Sequence, residues 1–107
     1  MTEVTAALVW CPFPDTKSAK IAAELLLEEK RIACANIVPG IVSVFEWQGA
    51  CSSSEEVAVL FKTTADRLDE VVDRLGECHP YDTPAIVGWV CDTAHPETLT
   101  WLGGSLT

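Results

Sequence analysis

The run CANIVPGIVSVFEWQG, residues 34–49, constrains the fold more than any other stretch. Val, Ile, Phe and Trp dominate it, and these side chains favour the pleated geometry of a strand. Proline has no N–H to give to a ladder, so Pro39-Gly40 predicts a bulge or bend inside one long strand. Residues 34–47, fully extended, would span roughly 45 Å at about 3.3 Å per residue. The chain has 107 residues, enough for one domain around one core over 1–107. A strand of that length must overshoot its neighbours in so small a sheet.

The remaining elements follow from periodicity and punctuation. EVTAALVWC (3–11) is short, apolar and bounded by PFPD, which predicts a buried strand. Asp15 or Thr16 is placed to cap a helix over 16–33. Ala19, Ala22, Ala23 and Leu26 share one face of it, Leu25 and Ile32 widen that face, and Lys30 and Arg31 suit its last turn. GACSSSE (49–55) predicts a polar turn, and EVAVLFKT (56–63) the second strand of an antiparallel hairpin. A second helix is expected over 64–77, with Leu68, Val71, Val72 and Leu75 on one face and Gly76 at its end. AIVGWVC (85–91) predicts a last strand. HPETLTWLGGSL (95–106) predicts a short helix begun at Pro96 and stopped by Gly103-Gly104. The order β-α-β-β-α-β plus a helix is the split βαβ, ferredoxin-like pattern of the α+β class. Its helices should cover one sheet face.

Assembly follows from the excess strand. The distal hairpin, carrying Val44, Phe45 and Trp47, has no partner inside a four-stranded core. Strands 1 and 4 read as nearly continuous apolar runs, so the open sheet face should be apolar too. Both features predict an oligomer, with Trp47 at a subunit contact.

Charge narrows the partners. Lys and Arg number 7 against 16 Asp and Glu, a formal charge of −9. Nucleic-acid binding needs cations to neutralise phosphates, which argues against nucleic acid and anionic membranes as partners. A negative field does concentrate cations, although simple solubility explains the charge as well. No apolar run reaches the roughly 18 residues of a membrane helix, and MTEVTAALVW lacks the features of a signal peptide. A cytoplasmic protein is expected. Five cysteines with no CxxC argue against a disulfide framework.

ECHPYDTP, residues 77–84, sets a thiol beside an imidazole. In a ferredoxin-like sheet, strand 4 lies antiparallel to strand 1. That topology brings Cys11, at the end of strand 1, near Cys78 and His79. Two sulfurs and an imidazole suit copper or zinc, with Asp15 or Asp82 as an added ligand. The alternative is that His79 hydrogen-bonds its own loop and Cys11 is core. Cys34 opens strand 2 at the other end, where only a neighbouring chain would bring it close. Adjacent Cys78 and His79 are poor geometry for base-assisted nucleophilic attack, and no GxSxG, HExxH or Gly-rich phosphate motif is present, so no enzyme activity is expected. PYDTP is a stiff entry to strand 4, with Tyr81 as a pocket wall or packing anchor. His95 reads as a helix cap, and Lys62 as a salt-bridge partner or a solvated cation.

CPFPD, ACANIVPGIVSVFEWQG, EVAVLFKT and HPYDTP, with Trp101 in the final helix, resemble the CutA family of divalent-cation tolerance proteins across nearly the whole chain. The resemblance implies a ferredoxin-like subunit in a tight homotrimer, similar to the nitrogen-regulatory PII signalling proteins. It also implies binding of copper or other heavy-metal cations and a role in metal tolerance. Cys11 stands where the family can have a metal-binding cysteine, and His79 matches the histidine of its HPY motif. The preceding position, a second histidine in metal-binding relatives, is Cys78 here. That change keeps a soft donor but favours Cu(I) or zinc over Cu(II). Cys34 matches the family's cysteine at the start of strand 2, with its role open. A PII-like scaffold that binds a small molecule or protein partner between subunits is the alternative reading.

Overall fold

A computed structural model describes residues 3–107. Strand β1 (Ala6–Phe13) leads to helix α1 (Thr16–Glu28), then to the hairpin of β2 (Cys34–Trp47) and β3 (Ala50–Thr64). A 3-10 turn (Ala65–Arg67), helix α2 (Leu68–Cys78), strand β4 (Val87–Val90) and helix α3 (Pro96–Ser105) complete the chain. The strands form one antiparallel sheet in the order β2-β3-β1-β4, the ferredoxin-like arrangement expected.

Strand alternation builds the core. Val9, Cys11 and Phe13 of β1 and Val57, Val59 and Phe61 of β3 point to one side, where α1 lays down Ala19, Ala22, Ala23 and Leu26 and α2 adds Val71 and Leu75. Phe13 and Phe61 meet edge to face, with centroids 6.4 Å apart. α2 comes close at Gly88 of β4, where an added Cβ would lie 2.8 Å from Leu68 Cδ1. The opposite face carries Leu8 and Trp10 of β1 in register with Trp89 and Val87 of β4, and Val87 and Trp89 are exposed.

Several boundaries differ from the expectations, each for a physical reason. β1 runs on through Pro12 and Phe13. There it has outrun β4, which pairs only with residues Ala7 to Trp10, so the missing proline N–H breaks no ladder bond. α1 stops at Glu28, not residue 33. Lys30 takes a left-handed φ of 61°, while Lys30 and Arg31 N–H groups return to Leu27 and Leu26 carbonyls. This is a Schellman closure with lysine where glycine is usual. The polar turn over 49–55 is replaced by strand. Gln48 and Gly49 alone make the turn, with φ of 51° and 80°, and Ser52, Ser53 and Ser54 pair with Phe45, Val44 and Ser43. Helix α2 starts after the 3-10 turn and passes through Gly76 to Cys78. It ends because His79, which precedes Pro80, is extended with ψ of 140°. β4 is only four residues long. α3 continues through both glycines to Ser105.

Other local readings hold. Asp15 caps α1 by accepting the Ser18 N–H at 2.7 Å. His95 Nδ1 accepts the Glu97 N–H and caps α3. The bulge falls at Pro39-Gly40, where pairing moves from Val38↔Ala58 to Ile41↔Glu56. Glu29, just past α1, accepts from Arg74 of α2 at 2.9 Å and from Arg31 at 2.8 Å. The Arg74 and then the Arg31 hydrogen bonds lower the Glu29 carboxyl to about 2. Lys62 makes no ion pair among the described residues.

Candidate functional site: a closed imidazole and an open groove

The end of β1, the end of α2 and the root of the hairpin meet at one edge of the sheet. There the chain divides its polar chemistry into a closed cluster and an open groove.

The closed cluster is built around His79, which is 8% exposed. Its ring stacks on Phe13 with centroids 4.4 Å apart. Nε2 lies 2.8 Å from the Pro12 carbonyl, and Nδ1 lies 3.1 Å from the Tyr81 N–H. A carbonyl only accepts and an amide N–H only donates, so Nε2 carries the proton and Nδ1 the lone pair. Both nitrogens are spent on the protein. Cys11 is fully buried in the core, with its thiol 3.8 Å from the Pro12 carbonyl. Burial, then the neighbouring Cys78 and Glu56, push the Cys11 thiol up to about 12. Burial also raises the Cys78 thiol, against the pull of Arg74.

The sequence-predicted trio thus converges on one edge, as the pairing of β1 with β4 requires. It does so as a hydrogen-bonded imidazole with protonated thiols. Metal ligation needs thiolate and a free imidazole lone pair, so in one subunit these residues as folded do not fit a metal ion. Among the described residues, no group of three or more His, Cys, Asp or Glu is placed to hold one. Cys34 pairs with Lys62 on the open face, whereas Cys11 pairs with Val59 and faces the helices. Asp15 is occupied as the α1 cap, and Asp82 lines the groove instead.

The groove has a volume of about 820 Å³. Phe45 and Trp47 of the hairpin form one side, and Pro80, Tyr81 and Asp82 the other. Glu56 lies at its root, and the Tyr81 hydroxyl donates to Glu56 Oε2 at 2.8 Å. Burial, then the bond to the Glu56 carboxylate, push the Tyr81 phenol up to about 12. Tyr81 is therefore the expected wall, fixed at its amide by His79 and at its hydroxyl by Glu56. Glu56 escaped the sequence reading. Only the register set by the bulge places it beside the aromatic side chains.

Known proteins share this framework. The family model described as "CutA1 divalent ion tolerance protein" matches residues 7–105. "Divalent-cation tolerance protein CutA" of Salmonella newport (strain SL254) is 37% identical over 103 residues, covering 94% of this chain and 88% of its own. The crystal structure of divalent ion tolerance protein CutA1 from Ehrlichia chaffeensis superimposes with a TM-score of 0.93 at 31% identity, over 99% of both chains. That of CutA1 from Oryza sativa gives a TM-score of 0.92 at 31% identity, over 100% of this chain and 98% of that one. A collinear match of this extent, on the same sheet and helices, makes this chain a member of the CutA1 divalent ion tolerance family.

Proposed function

We propose that this protein is a homotrimeric, non-catalytic binding protein of the divalent-cation response, and that the groove beneath its hairpin arm is the surface through which it binds. The observation that carries this reading is the contrast at the sheet edge. His79 has both nitrogens engaged, while Phe45, Trp47, Tyr81 and Glu56 converge on open space. Assembly is supported by the arm itself. Val42 and Val44 are 73% and 69% exposed on the side away from the groove, and Trp47 is exposed at the tip. Exposed apolar side chains on the face of the hairpin away from the groove call for a neighbouring copy. The cytoplasm suits five free cysteines. Sedimentation at micromolar concentration tests the trimer: a species of 11.6 kDa would refute it.

A second reading keeps direct binding of copper, or of zinc or another divalent cation, by Cys11, Cys78 and His79. The soft donors gathered at one edge and the names of the relatives favour it. The engaged imidazole and the raised thiols stand against it. Titration of the protein, Cys11→Ser and His79→Ala with Cu(I) and Zn²⁺ separates the readings. Equal stoichiometry and affinity in all three would remove these donors and leave the groove.

A further inference from the structure

The chemistry of the groove selects its ligand. Its volume of about 820 Å³ falls within the range of small-molecule sites, about 300–1,000 Å³. Phe45, Trp47 and Tyr81 supply aromatic surface, Glu56 and Asp82 supply charge, and no Lys, Arg or His lines it. The ring faces of aromatic side chains attract cations. Tyr81 takes up Oε2 of Glu56, and Oε1 has no hydrogen-bond partner among the described residues. Asp82 has none either among the described residues.

Three classes of small ligand fare differently here. An anion would meet two carboxylates and no cation. The upward shift of the Tyr81 phenol reports the same resistance to negative charge. A neutral apolar molecule would gain burial against the rings but leave the carboxylates unanswered. A bare metal cation would meet the carboxylates but make little use of the rings. A cation carried on an apolar body uses both. The formal charge of −9 adds a long-range field of the right sign.

We infer that the groove binds a small organic cation, a primary ammonium on an apolar body. Its nitrogen lies toward Glu56 and Asp82, and its body rests against Phe45, Trp47 and Tyr81. This rests on the groove being the binding surface.

Calorimetry of the assembled protein with three probes of similar shape tests it: 2-phenylethylammonium, 2-phenylethanol and phenylacetate. The ammonium is expected to saturate one site per chain. The alcohol is expected to bind roughly tenfold more weakly, the scale of a desolvated cation–π contact, and phenylacetate not at all. Glu56→Gln is expected to weaken the ammonium roughly tenfold. Asp82→Asn should weaken it in the same sense, and sedimentation checks that both variants still assemble. Equal binding of all three probes would overturn the cation preference and leave the groove as a binding surface. So would undiminished ammonium binding by both variants. Failure of all three to bind would overturn the groove reading itself.

Discussion

The two halves of β3 lie in the same strand and meet opposite fates. From Val57 to Thr64 it sits between β1 and β2 beneath the helices, and Val57, Ala58, Val59, Phe61, Thr63 and Thr64 are buried. From Ala50 to Glu56 it has β2 alone beside it, and no residue is buried. The inner half holds the subunit together. The outer half forms an arm that extends the molecule to 51 Å along its long axis and spends its apolar side chains outward. Stability and the proposed binding are thus separated along one backbone, and substitutions in the two halves should be read by different measurements.

The largest difference is expected between Phe61→Ala and Val44→Asp. Phe61 is fully buried, and its loss should cost about 3–5 kcal/mol in urea unfolding. Val44→Asp should leave far-UV circular dichroism unchanged while shifting sedimentation toward the 11.6 kDa monomer. An arm variant that unfolds the subunit would erase the distinction. Next comes Gly88→Ala, where a new methyl group would crowd Leu68 Cδ1 at 2.8 Å and the Leu8 carbonyl at 3.2 Å. A loss of about 1–3 kcal/mol is expected. Stability equal to that of the parent protein would mean that α2 shifts freely over the sheet.

A smaller effect is expected in acid. The Glu29 carboxyl is lowered from 4.5 to about 2 by Arg74 and Arg31. A lowered carboxylate stabilises the fold above its unfolded value and loses that contribution as pH falls toward its folded one. Between pH 4.5 and 2, unfolding of the parent should therefore respond to pH more steeply than that of Glu29→Gln. Parallel curves would show that the ion pairs add nothing measurable. The mildest probe leaves stability untouched. In Val44→Asp, iodoacetamide at neutral pH should modify exposed Cys51 on the arm first and buried Cys11 last. Protection of Cys51 that vanishes in Val44→Asp would map the arm to a subunit contact.

Much of the inner half was legible in the chain. Ala19, Ala22, Ala23 and Leu26 announced their helix face by spacing, and all four are buried. The element order implied the sheet order. The arm was harder to read. Ser52, Ser53 and Ser54 have no strand preference of their own and are held extended by pairing with β2, a tertiary effect that local propensity does not carry. Gly76 and Gly103-Gly104 were read as stops, yet both helices run on past them to Cys78 and Ser105. At the sheet edge, the topology brought Cys11, Cys78 and His79 together as expected. What spacing could not reveal was the use of each atom. That His79 spends one nitrogen on Pro12 and the other on Tyr81 depends on where β1 outruns β4.

The extra residue at Pro39-Gly40 has a consequence for handedness along the arm. Before it, Cys34, Asn36 and Val38 share the open face with Lys62, Leu60 and Ala58; after it, the odd-numbered Ile41, Ser43, Phe45 and Trp47 take that side with Glu56. Gly40, with φ of 78°, absorbs the turnover. Without a bulge to take up that residue, regular alternation onward from Val38 would reverse the parity: Val44 and Glu46 would face Tyr81, and the two aromatic side chains would point to the other side. Which side chains line the groove is decided by whether β2 counts in odds or evens.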